Sequence, residues 1–239
     1  MTSKWVPLEA SPDVFNAWSE PLGLPETLTF QDLFSLDKEF LQFIPQPHRA
    51  VLLLFPSRGK LHDEREREEK DGEGSWKGQE EGEGVWWIKQ TIPNACGSIG
   101  LLHALLNLPS SGPDASNPDS QLMKFKKESL PLSPLDRAKL LDTSEFFSTA
   151  HTSASQSGQS AIPEDLDVDT HFIAFIEAVN DKGEKRIVEL DGGRNGPFDR
   201  GQSVNFLEDV ATVVQEKYFD RAEGDTNFNM IVLAGQPED

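Results

Sequence analysis

The 239-residue sequence predicts an α+β fold in which a mainly antiparallel sheet carries helices on both sides. The clearest sign is a β-hairpin: the apolar residues 172–176 are followed by the turn signal 180–183 and by the alternating residues 186–190. The other apolar runs have either strand or helix spacing, and they form no internal repeat. This length suits one domain with a full hydrophobic core, so we expect a single domain over residues 1–239.

Each expected element follows from the spacing of apolar residues and from the turn residues at its ends. Amphipathic or continuously apolar spacing predicts helices near residues 12–18, 36–43, 96–107, 135–147 and 204–219. Short runs rich in β-branched and aromatic residues predict strands near residues 51–55, 85–89, 172–178, 186–190 and 229–234.

Two polar segments interrupt this pattern. Residues 63–83 are rich in Glu, Lys, Arg and Gly, and we interpret them as a solvated acidic insertion between two strands that contributes little to any site. Residues 148–169 are rich in Ser, Thr, Gln and Ala, a composition that cannot pack a core. From the sequence alone, an ordinary flexible linker is the simplest interpretation of this second segment.

Composition limits the possible functions and compartments. The formal net charge of −19 argues against nucleic acid as a partner and favours a basic one. The single cysteine excludes an internal disulfide, and the N-terminus has no charged-then-apolar leader, so we expect a cytoplasmic protein and leave the nucleus open as a second compartment. No apolar stretch is long enough to span a membrane. One cysteine and scattered histidines offer no metal-ligand spacing, so we expect no metal.

The lone cysteine, Cys96, lies where a nucleophile would be built. With Asn94 as N-cap, it falls in the first turn of the predicted helix 96–107, where free backbone N–H groups and the helix dipole favour a thiolate. Gln90 lies six residues earlier, just past the predicted strand, and its amide together with the Cys96 N–H could form an oxyanion hole. A lone cysteine is more often a buried structural residue, so a nearby base is needed to support this interpretation.

Four of the five histidines are poor candidates for that base. His48 precedes an apolar run and fits the start of a strand, and His62 opens a charged run and is expected to be solvated. His103 is on the Cys96 helix but about 10 Å further along its axis, where it is expected to pack. His151 lies in the polar segment, where nothing would fix its ring.

The fifth histidine, His171, opens the first strand of the hairpin. Folding the hairpin about Asp181 places His171 opposite Asp191, to within one residue of register, and cross-strand neighbours on one face have Cβ atoms about 5 Å apart. Asp191 could then accept the Nδ1–H of His171, fix its tautomer and stabilise the imidazolium that pairs with a thiolate. A structural hairpin whose end residues happen to be polar explains the spacing equally well.

Several separated blocks of the chain resemble the ubiquitin carboxyl-terminal hydrolases, the small papain-like deubiquitinases. In chain order they are WVPLE (5–9), AVLLLFP (50–56), KQTI (89–92), NACG (94–97), HFIA (171–174), ELDG (189–192) and FNMI (228–231). The resemblance implies a papain-like α-β-α sandwich, with Cys96 as nucleophile, His171 as base, Asp191 as its orienting partner and Gln90 as oxyanion donor. No cofactor is implied.

The sequence departs from the family pattern at two places. Ser98 stands where Thr is common, which keeps the hydroxyl. Asp191 is followed by Gly192, Gly193 and Arg194, one glycine more than expected, so the conformation of the loop after Asp191 is open.

The resemblance also implies the substrate. A monomeric thiol hydrolase of this family would cleave small or unfolded adducts from the C-terminal glycine of ubiquitin, or of a ubiquitin-like modifier, through a thioester. Glu9 and Asp32 are our candidates for contacts with the arginines of the ubiquitin tail, and residues 148–169 would cross over the active site and limit substrate size. Two alternatives stay open: a catalytically weak ubiquitin-binding protein that sequesters ubiquitin, and a general cysteine protease or acyltransferase.

Overall fold

A six-stranded antiparallel sheet forms the centre of the protein. The structure is a computed structural model that describes residues 5–72, 74–78, 84–159, 166 and 168–237. The strands are, in chain order, Leu28–Asp32 (β1), His48–Pro56 (β2), Thr170–Val179 (β3), Lys185–Leu190 (β4), Phe198–Gln202 (β5) and Asn229–Gly235 (β6). They are arranged in the order β1-β6-β2-β3-β4-β5, so that β2 and β3 lie in the middle of the sheet.

Helices cover both faces of this sheet, which confirms the predicted α+β architecture. In the described part of the chain the α-helices are Pro12–Ser19 (α1), Lys38–Leu41 (α2), Gly59–Asp71 (α3), Cys96–Leu106 (α4), Gln121–Ser129 (α5), Pro134–Asp142 (α6), Glu145–Ser157 (α7) and Phe206–Lys217 (α8). Because side chains alternate along a strand, Leu52 of β2 packs with α1, α4 and α7, whereas its neighbours Val51 and Leu53 pack with α8.

The chain between α3 and α4 differs from the prediction of a strand over residues 85–89. These residues belong to none of the six strands. Side chains of α4 and of the residue after it bind their backbone instead: the Trp86 N–H donates to Asn107 Oδ1 (2.7 Å), and the Ile88 N–H donates to His103 Nε2 (3.3 Å). An apolar run that satisfies its backbone in this way has the sequence pattern of a strand without being one.

Several predicted helix boundaries were also wrong. The helix expected over residues 135–147 is two helices, because Ser144 interrupts it and caps α7 by accepting a hydrogen bond from the Phe147 N–H. The helix expected over residues 36–43 is the single turn α2. Strands β1 and β5 and helices α3 and α5 were not predicted; β1 and β5 are only five residues long, which leaves little periodicity to read.

Both polar segments are more ordered than their composition indicated. Residues 59–71 form helix α3, and within it the Arg65 side chain is only 12% exposed and paired with Glu189 and Asp191, so the interpretation of a wholly solvated insertion over 63–83 was wrong. Residues 73 and 79–83 lie outside the described part. Helix α7 extends to Ser157 and buries His151 and Ala154, so the first part of the segment 148–169 does pack in the core. Residues 160–165 and 167 of this segment lie outside the described residues, and the expected crossover of the active site stays a prediction.

The β3–β4 hairpin has a register two residues away from the predicted one. Val179 pairs with Lys185 and Ala174 with Leu190, so the same register continued would place His171 opposite Gly193 and not opposite Asp191. The turn spans five residues, in which the Asn180 side chain accepts the N–H groups of Lys182 and Glu184. A shift of two residues keeps the same side chains on the same face, so Asp191 lies diagonally beside His171.

Within the described residues, no helix combines the length and the apolar character needed to cross a membrane.

Leu52 tests this description of the core, because its side chain is 1% exposed between the sheet and α4. We expect Leu52→Ala to lower the free energy of unfolding by about 2–5 kcal/mol through lost burial and a residual cavity. Val204→Ala is the matched control, since Val204 is 83% exposed and should change stability by less than about 0.5 kcal/mol. Urea unfolding of both variants is the measurement, and equal midpoints would contradict the packing described.

Candidate active site

Cys96 is the first residue of α4, and the residue is 8% exposed. The N-cap residue is Ala95, not Asn94 as predicted. Asn94 has a positive φ of 63° and does not cap the helix: its Nδ2 donates to the carbonyl oxygens of Trp5 (3.0 Å) and Leu166 (2.9 Å). The N–H groups of the first turn of α4 therefore point toward the region of the sulfur, which favours negative charge there.

His171 and Asp191 meet at one end of the hairpin. His171 Nε2 lies 2.6 Å from Asp191 Oδ1, and the same oxygen accepts the Gly193 N–H at 2.6 Å. The predicted contact through Nδ1 was therefore wrong in its choice of nitrogen. Because Nε2 is bound to Asp191, Nδ1 is left to face Cys96, whose thiol is hydrogen-bonded to His171.

The three side chains shift one another's protonation equilibria. Burial favours the neutral thiol, but His171 and the backbone N–H groups of Phe172 and Gly97 outweigh it and lower the pKa of Cys96 below its usual value. Burial likewise opposes the imidazolium, yet Asp191 and the Cys96 sulfur raise the pKa of His171 to about 10. Burial opposes the Asp191 carboxylate too, and His171, followed by Arg65, overcomes it and holds the pKa of Asp191 well below its usual range. The arrangement favours a thiolate–imidazolium pair.

Gln90 lies beside α4, against Gly192. Its N–H donates to the Gly192 carbonyl (2.9 Å), and a Cβ at Gly192 would come within 2.9 Å of Gln90 Cβ and 3.0 Å of Ile99. Only glycine fits this close approach, which explains one of the two consecutive glycines. The amide oxygen of Gln90 is buried and has no hydrogen-bond partner among the described residues.

The loop after Asp191 is held by an ammonium group. Lys89 Nζ donates to the carbonyl oxygens of Gly193 (2.8 Å) and Arg194 (2.7 Å), and the Arg194 N–H returns to the Asp191 carbonyl (3.2 Å). The additional glycine thus forms part of a tight turn that brings the Gly193 N–H to the Asp191 carboxylate.

A buried ionic cluster adjoins this turn and was missed by the sequence analysis. Glu189 of β4 is fully buried and accepts hydrogen bonds from Arg65 (3.0 Å), Arg194 (3.1 Å) and Arg200 (2.6 Å). Burial opposes its charge, but these arginines hold the pKa of Glu189 well below its usual range. Arg65 belongs to the charge-rich α3, whose composition indicated solvent-exposed side chains, and it also contacts Asp191.

The remaining histidines lie away from the reacting groups or are held in other contacts. His48 begins β2 and His62 is exposed, both as predicted. His103 is buried in α4, and burial lowers its pKa to about 4. His151 is also fixed, contrary to the prediction: its Nδ1 lies 2.8 Å from Ser98 Oγ and its Nε2 lies 2.7 Å from the Val6 carbonyl.

The two candidate substrate contacts lie on different elements. Glu9 is half-buried, and its carboxylate lies so close to Gly158 that a Cβ there would be 2.6 Å from it. Asp32 ends β1 opposite Ile231, and burial followed by the nearby Asp13 raises its pKa. Among the described residues no group of three or more His, Cys, Asp or Glu side chains is arranged to hold a metal ion.

A helix-terminal cysteine beside an imidazole and a carboxylate, on an α-β-α layered fold, defines a papain-like cysteine hydrolase. The model of the family described as ubiquitin carboxyl-terminal hydrolase, family 1, matches residues 5–219. The chain therefore belongs to the ubiquitin carboxyl-terminal hydrolase family.

Similar proteins agree over almost the whole length. Ubiquitin carboxyl-terminal hydrolase 3 of Arabidopsis thaliana is 36% identical over 236 residues, which covers 98% of this chain and 95% of that protein. Isozyme L1 of Rattus norvegicus is 34% identical over 229 residues, which covers 95% and 96%. The fold is shared with the catalytic domain of Trichinella spiralis UCH37 bound to ubiquitin vinyl methyl ester, with a TM-score of 0.73, 24% identity and coverage of 98% and 96%.

The thiolate–imidazolium pair predicts an unusual pH dependence of Cys96 alkylation by iodoacetamide. Since the pKa of Cys96 is lowered, the thiolate persists below the ordinary thiol pKa of about 8.5, and the rate should fall less steeply between about pH 8 and pH 6 than the rate of an ordinary thiol, which falls about tenfold per pH unit. In His171→Asn the pair is lost, so the rate should fall about tenfold per pH unit over that range. A tenfold fall per unit in the parent protein would contradict the pair.

Proposed function

We propose that this protein hydrolyses small or unfolded adducts at the C-terminal glycine of ubiquitin, with Cys96 as nucleophile. The observation that carries the proposal is the contact chain from the Cys96 thiol through His171 to Asp191, in a chain that belongs to this hydrolase family. The similarity to UCH37, whose structure contains bound ubiquitin vinyl methyl ester, supports ubiquitin as the partner. A ubiquitin-like modifier with the same C-terminal glycine is a second possible substrate of the same site.

The proposed reaction starts from the ion pair. The Cys96 thiolate attacks the carbonyl carbon of the glycine, and the resulting oxyanion is stabilised by the Cys96 N–H and the Gln90 amide, at roughly 3 kcal/mol per donor. Among the described residues the buried amide oxygen of Gln90 has no hydrogen-bond partner, so an orientation that places the NH2 group there instead breaks no hydrogen bond to that oxygen. The charge develops at the start of α4, where the helix dipole also favours it.

His171 then moves the protons. As imidazolium it gives a proton to the amine or thiol leaving group, and the tetrahedral intermediate collapses to a thioester between Cys96 and the glycine. Neutral His171 next takes a proton from water, which attacks the thioester. The glycine carboxylate leaves, and the proton on His171 restores the ion pair with the Cys96 thiolate. Asp191 keeps the imidazole oriented through both steps by its contact with Nε2.

Two further features support the proposed substrate class. Asn94 immediately precedes Ala95 and Cys96 and bonds the Leu166 carbonyl, so the end of the segment 148–169 lies beside the active site, in keeping with a crossover that limits the leaving group. Glu9 and Asp32 supply carboxylates for the arginines of the ubiquitin tail. We also propose that the enzyme acts as a monomer in the cytoplasm or nucleus, where a reducing environment keeps Cys96 free.

The direct test is hydrolysis of ubiquitin carrying a C-terminal 7-amido-4-methylcoumarin. We expect release of the dye by the parent protein and none by Cys96→Ala, which loses the nucleophile. Gln90→Ala keeps the ion pair but loses one oxyanion donor, so its kcat should fall by about 10²–10³. If the parent binds ubiquitin tightly but releases no dye, a sequestering role replaces this proposal. If the parent neither binds ubiquitin nor releases dye, ubiquitin is excluded as the substrate.

A further inference from the structure

Both oxygens of the Asp191 carboxylate form hydrogen bonds. Oδ1 binds His171 Nε2 and the Gly193 N–H, whereas Oδ2 accepts a hydrogen bond from Arg65 Nη2 at 2.5 Å. The Asp191 side chain is 6% exposed and that of Arg65 is 12% exposed, so water competes little for either group. The carboxylate oxygen that does not contact His171 is therefore bound by a charge-assisted hydrogen bond from Arg65.

We propose that Arg65 is a positioning residue for the reaction, acting through Asp191 on the orientation of His171. This inference rests on the proposed function. A carboxylate held by one oxygen alone can rotate about χ2, and the imidazole bonded to it would then follow. The bond to Oδ2 stops that rotation, so Oδ1 stays aimed at Nε2 and Nδ1 stays aimed at Cys96.

Arg65 is suited to this role because its own guanidinium cannot turn. Its Nη1 donates to Glu189 Oε1 (3.0 Å) and contacts the Tyr218 hydroxyl, so both ends of the fork are bound. The guanidinium carbon lies 4.8 Å from the centre of the Phe55 ring, and the Phe55 ring in turn meets His171 edge-on with 5.9 Å between ring centres. A lysine ammonium lacks the planar fork and cannot make both bonds in this geometry.

The other arginines of the cluster separate this role from a purely structural one. Arg194 and Arg200 also bind the buried Glu189, and Arg200 further binds Glu68 at 3.0 Å, but Arg200 makes no hydrogen bond to Asp191 in the described structure. Loss of Arg65 would therefore leave Glu189 with two arginines but Asp191 Oδ2 with none. Arg200→Met is thus a matched control: the same substitution, in the same cluster, without the contact to Asp191.

The experiment compares Arg65→Met and Arg200→Met on ubiquitin 7-amido-4-methylcoumarin. We expect Arg65→Met to lower kcat about tenfold to a hundredfold, the usual size of an indirect contact to a reacting residue, with KM unchanged within about twofold. Arg200→Met should lower the urea midpoint but leave kcat within about twofold of the parent. If both variants lower kcat equally, or if Arg65→Met leaves it unchanged, Arg65 is only structural.

A double-mutant cycle tests the route through Asp191. In an Asp191→Asn background, Arg65→Met should lower kcat no further, whereas independent effects would multiply. If Arg65→Met does not fold, Arg65→Lys takes its place and should give an intermediate kcat; a parental kcat would contradict the proposal. If the parent releases no dye, the proposed function fails independently of the role of Arg65. The rate of Cys96 alkylation at pH 7 then tests that role. If Arg65 positions His171, this rate should be lower in Arg65→Met and equal to that of the parent in Arg200→Met.

Discussion

The His171 imidazolium, held between the Cys96 sulfur and the Asp191 carboxylate, is the interaction on which the rest of the site depends. Burial alone would neutralise all three groups, so each needs a neighbour that stabilises its charged form. The same need for an oppositely charged neighbour applies to the residues around the site: Asp191 is bound by Arg65, Arg65 by Glu189, and Glu189 by two further arginines. The ionic cluster around β4 follows from placing a reactive pair of charges in a buried site.

The fold makes this arrangement possible by bringing distant segments together at one end of the central strands. Strand β3 is central and presents His171 at its beginning, while the antiparallel β4 returns the chain to the same end just before Asp191. Helix α4 packs across β2 and β3, so its first residue, Cys96, ends beside the first residues of β3. The backbone N–H of Phe172 contacts the sulfur directly, which ties the helix start to the strand start.

Local pattern was sufficient for the parts of the site that lie within one element or one hairpin. The apolar helix placed Cys96 at a helix start, and the strand–turn–strand around Asn180 placed His171 near Asp191, although the register and the histidine nitrogen were wrong. The relation of Cys96 to the hairpin came from the family resemblance and not from local pattern. Arg65 could not be found this way, because its helix is so rich in charge that its buried side chains resemble solvated ones. Residues 85–89 were misread for the opposite reason: their partners are the side chains of Asn107 and His103, which no strand pattern encodes.

The charge state of His171 is the most direct test of this account. Nitrogen-15 NMR of the imidazole in the parent protein at about pH 8 distinguishes an imidazolium, with both nitrogens protonated, from a neutral ring, with one. Because Asp191 and Cys96 raise the pKa of His171 to about 10, we expect two protonated nitrogens in the parent and a neutral ring in the Asp191→Asn, Cys96→Ala double variant. A neutral His171 at pH 8 in the parent protein would contradict the ion pair and the mechanism built on it.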